Sequence, residues 1–139
     1  MDIWKIFDEK NNVIKEYKYW KLLLRKKQVK LGSCVAILKR DAFPLSKVTK
    51  EEMVEYVQVT QEVERALAKA FKPDLVNHLA LMFFDKHIHF HIITRYKEPR
   101  KFAGMEWVDD YNPDPLVQQR EQVSQEILNK IKEEIKKNL

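Results

Sequence analysis

The 139-residue sequence contains one cysteine, two glycines and no long hydrophobic run. A single thiol, Cys34, cannot form an intrachain disulfide, which fits a reducing compartment such as the cytoplasm. The two glycines, Gly32 and Gly104, lie far apart, which excludes a P-loop or a dinucleotide-binding turn. No segment approaches the roughly 18 consecutive apolar residues of a membrane span, and the N-terminus does not resemble a secretory signal. We therefore expect a cytoplasmic protein with no membrane partner.

Length and composition predict one globular domain over residues 1–139. Hydrophobic residues make up 45% of the chain and charged residues 34%, the balance of an ordinary soluble protein. The net charge of +5 favours anionic ligands such as nucleotides, but only weakly.

Four segments have the composition of β-strands. β-branched and aromatic residues predict one or two strands over 13–25 and a buried strand over 32–39. Two apolar runs, at 75–84 and 87–94, are separated by a short polar break and predict an antiparallel hairpin.

Two segments are predicted to be helical. Thr49 and Glu52 have the spacing of a capping box at the start of a helix over about 50–71. A final helix is predicted to begin at Asp114-Pro115. Together with the strands, these helices indicate an α+β fold with an antiparallel sheet. The apolar face of the final helix is predicted to contain Leu116, Val123, Ile127, Ile131 and Ile135.

Three of the four histidines, His87, His89 and His91, alternate with apolar residues in the stretch HIHFHII. On a strand, alternate side chains point to the same face, so the three imidazoles are expected to form a row. The apolar residues between them would then point into the core. Such a row presents six ring nitrogens from one rigid element.

Three interpretations of this row are open. The histidines could be a solvated or hydrogen-bonded strand face without chemistry. They could bind zinc, with His78 or Asp85 as a further ligand. They could also support phosphoryl or nucleotidyl transfer, in which a neutral imidazole nitrogen attacks phosphorus and forms a covalent intermediate.

The stretch HIHFHII resembles the signature of the histidine triad (HIT) family of nucleotide hydrolases and transferases. Asn77, before the triad, and Arg95, after it, stand where members commonly carry these residues. The resemblance implies a HIT-like fold, in which a long helix packs on a five-stranded antiparallel sheet and a C-terminal helix follows. It also implies a homodimer.

The same resemblance implies a role for each residue of the site. His89 would be the nucleophile, attacking the α-phosphate of a phosphoanhydride or phosphoramidate to form a nucleotidyl-histidine. His91 would bind phosphate oxygens, His87 would orient the site and handle protons near the leaving group, and Asn77 would bind substrate. The implied substrates are dinucleoside polyphosphates, nucleoside phosphoramidates and adenylylated molecules, with nucleic acid expected only as an adenylylated substrate. No cofactor is required, although some members use Mg2+ with the nucleotide.

Two features depart from the family pattern. Asp41 stands where many members have a further histidine, and residues 82–86 contain no glycine, unlike the loop that often precedes the triad. These departures keep open an alternative, a catalytically weak module that binds a nucleotide or a partner protein. A zinc enzyme with histidine ligands is the second alternative.

Several other residues are expected to be structural. His78 alternates with Asn77, so we expect it to pack beneath the helices. Cys34 is expected to be buried and unreactive. The three tryptophans are expected in the core or in a dimer interface: Trp4, Trp20 and Trp107.

Overall fold

The computed structural model describes residues 2–118 and 120–139. Its central sheet contains β1 (Val13–Glu16), β2 (Trp20–Leu24), β3 (Cys34–Leu38), β4 (Leu75–Leu79) and β5 (His89–Arg95). The spatial order is β1-β2-β3-β5-β4, and every neighbouring pair is antiparallel. The described helices are α1 (Ile3–Ile6), α2 (Glu9–Asn12), α3 (Lys50–Ala70) and α4 (Gln125–Lys136). The predicted α+β fold, with its sheet, long helix and C-terminal helix, is confirmed.

The long helix α3 begins where the sequence predicts. Thr49 is the N-cap, and its hydroxyl accepts a hydrogen bond from the Glu52 backbone N–H at 3.1 Å. The Glu52 carboxylate in turn accepts from the Thr49 N–H at 2.8 Å. The helix packs on one face of the sheet through buried side chains that include Val63 and Leu67.

The two faces of the sheet are covered by different elements. The helix face, which includes Leu22, Leu24, Cys34, Ala36 and Ile92, belongs to the main core beneath α3. The triad face, which includes Leu23, Val35, Ile37, His89 and His91, is covered by the N-terminal segment through Ile3 and Phe7.

The predicted hairpin is shorter and more irregular than the sequence indicates. β4 ends at Leu79, not at residue 84, and β5 begins only at His89. The Ile88 carbonyl accepts from the N–H of Leu38, the last residue of β3, whereas the Ile88 N–H donates to the Ala42 carbonyl, in the segment that follows β3. His87 therefore precedes the strand, and the prediction that all three histidines lie on one strand is wrong for this residue.

The final helix begins later than predicted. Ser124 is its N-cap, and its hydroxyl accepts from the Ile127 N–H at 3.3 Å. Before it, the side chains of Asp110, Asn112 and Asp114 each accept a hydrogen bond from the backbone N–H two residues ahead. These local bonds compete with helix formation. Leu116 is accordingly outside the helix and 43% exposed.

Two short features were not predicted. Between β5 and the final helix, β6 (Arg100–Phe102) and β7 (Met105–Trp107) form a separate hairpin. At the other end of the chain, Asp2 caps α1, which leads into α2. None of the described helices has the length and apolar character needed to cross a bilayer.

Candidate active site

Two of the three triad histidines lie side by side on the triad face. In the pairing of β3 with β5, His89 is opposite Ile37 and His91 is opposite Val35. The His89 and His91 rings meet edge to face, with centroids 5.0 Å apart. Phe90, between them, packs against the main core, and Ile92, which follows His91, is fully buried in it.

The tautomer of His89 is set by its own backbone. The Nδ1 atom lies 2.6 Å from the His87 carbonyl oxygen, which can only accept, so Nδ1 carries the proton of the neutral ring. The Nε2 lone pair is therefore free, and Nε2 is buried with no hydrogen-bond partner among the described residues. Burial lowers the pKa of His89 below 6.5, so the ring is neutral near pH 7. A neutral ring with a free nitrogen is the form a nucleophile requires.

His91 is also held neutral. Burial, followed by the positive charge of Arg25, lowers the pKa of His91 to about 3. Its Nδ1 is buried and has no hydrogen-bond partner in the described part of the chain. Because buried polar atoms normally find partners, two orphaned nitrogens on adjacent rings mark a place where a ligand could complete the bonding.

His87 faces a different environment. Its Nε2 donates to the Leu38 carbonyl at 2.6 Å, which leaves Nδ1 as the outward-facing nitrogen. Nδ1 lies 3.5 Å from the Asp41 carboxylate, so Asp41 occupies the neighbourhood of the first histidine. The Trp4 ring packs edge-on against the His87 ring at 5.7 Å.

The N-terminal segment covers the central histidine. The Phe7 ring centroid lies 5.9 Å from that of His89 and 5.8 Å from that of His91. His89 is only 1% exposed as a result. It is buried beneath this short segment and not beneath α3. A phosphate group can therefore reach Nε2 only if Phe7 moves.

A cavity of about 280 Å3, the basic cavity, opens beside His91. Arg25, which follows β2, contributes a guanidinium whose Nε is buried without a hydrogen-bond partner in the described residues. Burial lowers the pKa of Arg25, but an arginine remains charged. Arg25 and its neighbours Lys26 and Lys27 were not predicted from the sequence as site residues, because only the fold brings the end of β2 next to the triad. The cavity is lined by Phe7, Arg25, Lys26, Lys27, Asp85 and His91, among others.

A second cavity of about 210 Å3, the acidic cavity, lies beside His87. Its charged lining residues are Asp2, Asp41, Asp85 and Lys86, so carboxylates outnumber cations by three to one. Asp85 lines both cavities, and its charge acts to raise the pKa of His89, against the larger effect of burial. The two cavities therefore share Asp85 and flank the triad, although His89 itself lines neither of them.

Two residues assigned by resemblance lie apart from these cavities. Asn77 is opposite Ile93, two residues beyond His91, so it shares the triad face but does not line either cavity. Arg95 is 4% exposed and its guanidinium binds the Asp109 carboxylate at 2.9 Å. The structure thus gives Arg95 a structural ion pair at the far end of β5.

The residues that the sequence predicts to be structural occupy several different environments. His78 lies beside α3 but is not buried beneath it, since its side chain is 24% exposed, with Nδ1 3.2 Å from the Tyr56 hydroxyl and Nε2 2.7 Å from the Glu64 carboxylate. Cys34 is fully buried, and burial raises the pKa of its thiol to about 12. Trp20 and Trp107 belong to the core. Trp4 differs, because it is only partly buried and contacts the first triad histidine.

No group of three or more histidine, cysteine, aspartate or glutamate side chains in residues 2–118 and 120–139 converges on a point that could bind a metal ion. His87 Nε2 and His89 Nδ1 both donate to backbone carbonyls. These bonds leave the two rings one free nitrogen each.

Comparison with known proteins agrees with this geometry. The family model of the HIT domain matches residues 8–98, and the chain therefore belongs to the histidine triad family. Members of this family are commonly nucleotide hydrolases or transferases. No curated protein matches the sequence significantly.

Solved structures of histidine triad proteins share the fold at low sequence identity. A histidine triad protein from Marinobacter aquaeolei is 14% identical, covers 99% of this chain and 95% of its own, and has a TM-score of 0.77. One from Sinorhizobium meliloti is 18% identical, with 94% and 92% coverage and a TM-score of 0.75. A hypothetical histidine triad nucleotide-binding protein from Sulfolobus tokodaii is 19% identical, with 91% and 82% coverage and a TM-score of 0.69.

Proposed function

We propose that this protein is a HIT-type nucleotide hydrolase or nucleotidyl transferase that acts through a nucleotidyl-His89 intermediate. The observation that carries the proposal is the hydrogen bond from His89 Nδ1 to the His87 carbonyl at 2.6 Å. It leaves Nε2 unprotonated and without a partner in the described residues, while burial lowers the pKa of the ring. The substrate would be a dinucleoside polyphosphate, a nucleoside phosphoramidate or an adenylylated molecule.

The reaction would take two displacements at the α-phosphorus. In the first, the Nε2 lone pair of His89 forms a bond to phosphorus, and the bond from phosphorus to the leaving group breaks. The leaving group takes up a proton from solvent, which the Nδ1 lone pair of His87 would first accept and then donate. In the second, water or another acceptor attacks phosphorus, the bond to Nε2 breaks, and a nucleoside monophosphate or its transferred product is released.

The phosphate oxygens would be held from the side of His91. Its buried Nδ1 and the Nε of Arg25 both lack hydrogen-bond partners in the described chain, and both residues line the basic cavity. A charged donor and a ring donor aimed at one phosphate would stabilise the negative charge that develops during transfer. Asn77 is retained as a substrate contact, but a lesser one, because it lies beyond His91.

A trapping experiment tests the proposal. The protein is incubated with a nucleoside phosphoramidate that carries a label on the phosphate, quenched in base and digested for peptide mapping. We expect labelled peptide that contains His89, and none in the His89→Ala variant. Label on another residue, or turnover of His89→Ala at the wild-type rate, would refute the assignment of the nucleophile.

A nucleotide-binding module with weak catalysis is the second candidate. It is favoured by the burial of His89, which is 1% exposed beneath Phe7. Replacing Phe7 with Ala distinguishes the two, because a catalytic site would retain or gain labelling at His89. A pure binding module would bind a nucleoside monophosphate and show no labelled intermediate in either protein.

The proposed chemistry uses no protein-bound metal. Mg2+ would act only as a counter-ion of the substrate phosphates, next to the basic cavity. The zinc alternative has weak support, because the described residues form no group of three suitable ligands. Metal analysis of the purified protein, with turnover measured in a chelator, decides between these readings, since a zinc enzyme would lose activity with its metal.

Two further features bear on assembly and location. β4 is an edge strand with an open side, and Leu75 on it and Val57 on α3 are more than half exposed. Such an edge favours pairing with a second copy of the chain, so a homodimer is proposed. Leu75→Asp would disrupt this dimer, and sedimentation would measure its loss. A cytoplasmic location is proposed from the single, buried thiol.

A further inference from the structure

Residues 2–7 pack against all three triad histidines. The ring of Trp4 meets the first histidine and the ring of Phe7 meets the other two, at centroid distances between 5.7 and 5.9 Å. Ile3 and Phe7 also belong to the apolar cluster on the triad face of the sheet. This short segment therefore covers the whole triad.

Residues 2–7 also form a wall of both cavities beside the triad. The first two residues of the segment line the acidic cavity, whereas Ile6 and Phe7 line the basic cavity. His89, which lines neither cavity, is buried under this segment. The segment therefore separates the two cavities and closes the central histidine off from both.

Side-chain packing attaches this segment to the sheet. Within the described residues, the hydrogen bonds of residues 2–7 are all to one another or to Asp8. The contacts with the sheet include apolar packing on β2 and β3, and the Lys21 ammonium lies 5.3 Å from the centre of the Trp4 ring. A short helix with such contacts can detach while the rest of the protein stays folded.

The closed position of this segment carries a cost in free energy. His89 Nε2 and His91 Nδ1 are buried without hydrogen-bond partners in the described part of the chain. Water could pair with both nitrogens if the Phe7 ring moved away, and a buried polar atom without a partner is unfavourable. The apolar packing of residues 2–7 is therefore opposed by the desolvation of two imidazoles, which brings the closed and open arrangements closer in free energy.

The next helix, α2, is attached by polar bonds. The Gln125 amide on α4 donates to the side-chain oxygen of Asn12 at 3.1 Å, and Asn12 is fully buried. Lys132, also on α4, donates to the Asn11 carbonyl at 2.8 Å. The Glu9 carboxylate pairs with an ammonium on β2 at 3.3 Å. α2 is therefore tied to α4 and to the sheet, and in the described residues α1 has no counterpart to these bonds.

Asp8 joins the two helices in a left-handed backbone conformation. Its φ is 50° and its ψ is 56°, a region that few residues other than glycine, asparagine and aspartate adopt. The Asp8 N–H donates to the Lys5 carbonyl at 3.1 Å, and the Asp8 carbonyl accepts from the Asn12 N–H at 3.2 Å. The backbone bonds of α1 and of α2 thus both end at Asp8, so rotation about this residue would move α1 and leave α2 in place.

We infer that residues 2–7 form a lid hinged at Asp8, which opens as a unit, exposes His89 Nε2 and His91 Nδ1, and joins the two cavities into one cleft along the triad. α2 stays bound to α4 and limits the movement. A ligand that reaches from one cavity to the other requires the open arrangement. The lid does not depend on the reaction that the site carries out, so it can be tested separately from the proposed function.

Chemical modification of His89 measures the opening. Diethyl pyrocarbonate acylates an unprotonated imidazole nitrogen, and peptide mapping gives the rate at each histidine. His89 should react at least about a hundredfold more slowly in the folded than in the urea-unfolded protein, because Nε2 is accessible only when the lid is open. Phe7→Ala should raise the rate in the folded protein by about tenfold or more, whereas His78, on the other face of the sheet, should keep its rate. Weak protection of His89, or an unchanged rate in Phe7→Ala, would overturn the inference.

Matched variants of Asp8 test the hinge. Asp8→Ala disfavours the left-handed conformation more strongly than Asp8→Asn, and both remove the same charge. The alanine variant should therefore modify His89 about three- to tenfold faster than the asparagine variant. Hydrogen exchange gives a second measurement, in which the amides of Phe7 and Asp8 should exchange at least about tenfold faster than those of Asn11 and Asn12. Equal rates for the two variants, or a common exchange rate for α1 and α2, would contradict a hinge at Asp8.

A variant on the other face separates lid opening from global unfolding. Leu24→Ala weakens the core beneath α3 and leaves the residues that pack against the lid unchanged. It should keep the His89 modification rate within about twofold of wild type, because a local opening does not need the main core to unfold. An increase as large as that in Phe7→Ala would mean that His89 becomes accessible only through global unfolding, and the inference would fall.

Discussion

The two faces of the central sheet share the same strands but are packed in different ways. On the helix face, residues such as Leu24 and Ala36 are fully buried under the long helix α3 in a continuous apolar core. On the triad face, a smaller apolar cluster that includes Leu23 is covered by the short N-terminal segment. That face also carries His89 and His91, each with a buried nitrogen that lacks a partner in the described residues.

The difference separates stability from function within one sheet. A fully packed apolar face contributes to folding, whereas an unpaired buried polar atom costs free energy. Proteins retain such atoms where a ligand can pair with them. The triad face is therefore the face on which binding and chemistry are to be expected, and the following predictions test that division.

The largest difference is expected between substitutions of one histidine on each face of the sheet. His89→Ala should lower kcat/KM by at least about a thousandfold, because it removes the proposed nucleophile. His78→Ala, on the helix face, removes hydrogen bonds to Tyr56 and Glu64 and should leave turnover nearly unchanged while reducing stability by about 1 kcal/mol. Steady-state kinetics and urea unfolding of both variants provide the measurement. Comparable losses of rate would contradict the division.

Two adjacent leucines of β2 compare the packing of the faces directly. Leu24→Ala opens a cavity beneath α3 and should cost about 3–5 kcal/mol in the free energy of unfolding. Leu23→Ala, beneath the N-terminal segment, should cost about 2–3 kcal/mol, because a short segment can settle into the space. Denaturant unfolding under identical conditions measures the difference. A larger cost for Leu23→Ala would show that the N-terminal cover is as rigid as α3.

Arg25 tests the binding side of the triad face. Arg25→Gln should raise the Kd for a nucleoside monophosphate by about ten- to hundredfold, because a charged donor to the phosphate is lost. Arg65→Gln, on the exposed surface of α3, makes the same change in net charge and is the control. Titration calorimetry measures both. Equal weakening would mean that net charge, and not the position of Arg25, governs affinity.

The last effect concerns pH. The pKa of His91 is about 3 in the folded protein, below its ordinary value of 6.5, so unfolding takes up a proton at pH values between them. The stability that His91 contributes is complete above pH 6.5 and is lost as the pH falls towards 3. Between about pH 7.5 and about pH 4.5, wild type should therefore lose about 2–3 kcal/mol more than His91→Gln, at about 1.4 kcal/mol for each pH unit below 6.5. Identical losses in urea unfolding would argue against a buried neutral His91.

The sequence predicted the triad face through its periodicity. Alternation is a direct consequence of strand geometry, so HIHFHII indicated which side chains of β5 share a face, and Thr49 with Glu52 indicated the start of α3. The same reasoning was wrong for His87, because Ile88 donates to Ala42, beyond the end of β3, and the strand begins only at His89. Local pattern cannot reveal such non-local bonds.

Other parts of the site depended on the fold. In the sequence, Arg25 is one of three consecutive basic residues in a predicted turn. Only the order of the strands in the sheet brings it next to His91. The segment that covers His89 contains the four-residue helix α1, too short to show helical periodicity. The Asp-Asn-Asp turns at 110–116 concealed the late start of α4, because their residues are also typical of helix caps.

Helix α1 has a kinetic consequence. It has four residues, one side-chain cap from Asp2 and a single buried side chain, Ile3, and Phe7 follows it directly. A unit of this size can detach at a small fraction of the free energy of global unfolding. In the proposed mechanism, residues 2–7 would have to open once to admit a nucleotide and once to release the product, so the rate of this opening, more than the phosphorus chemistry, would set kcat.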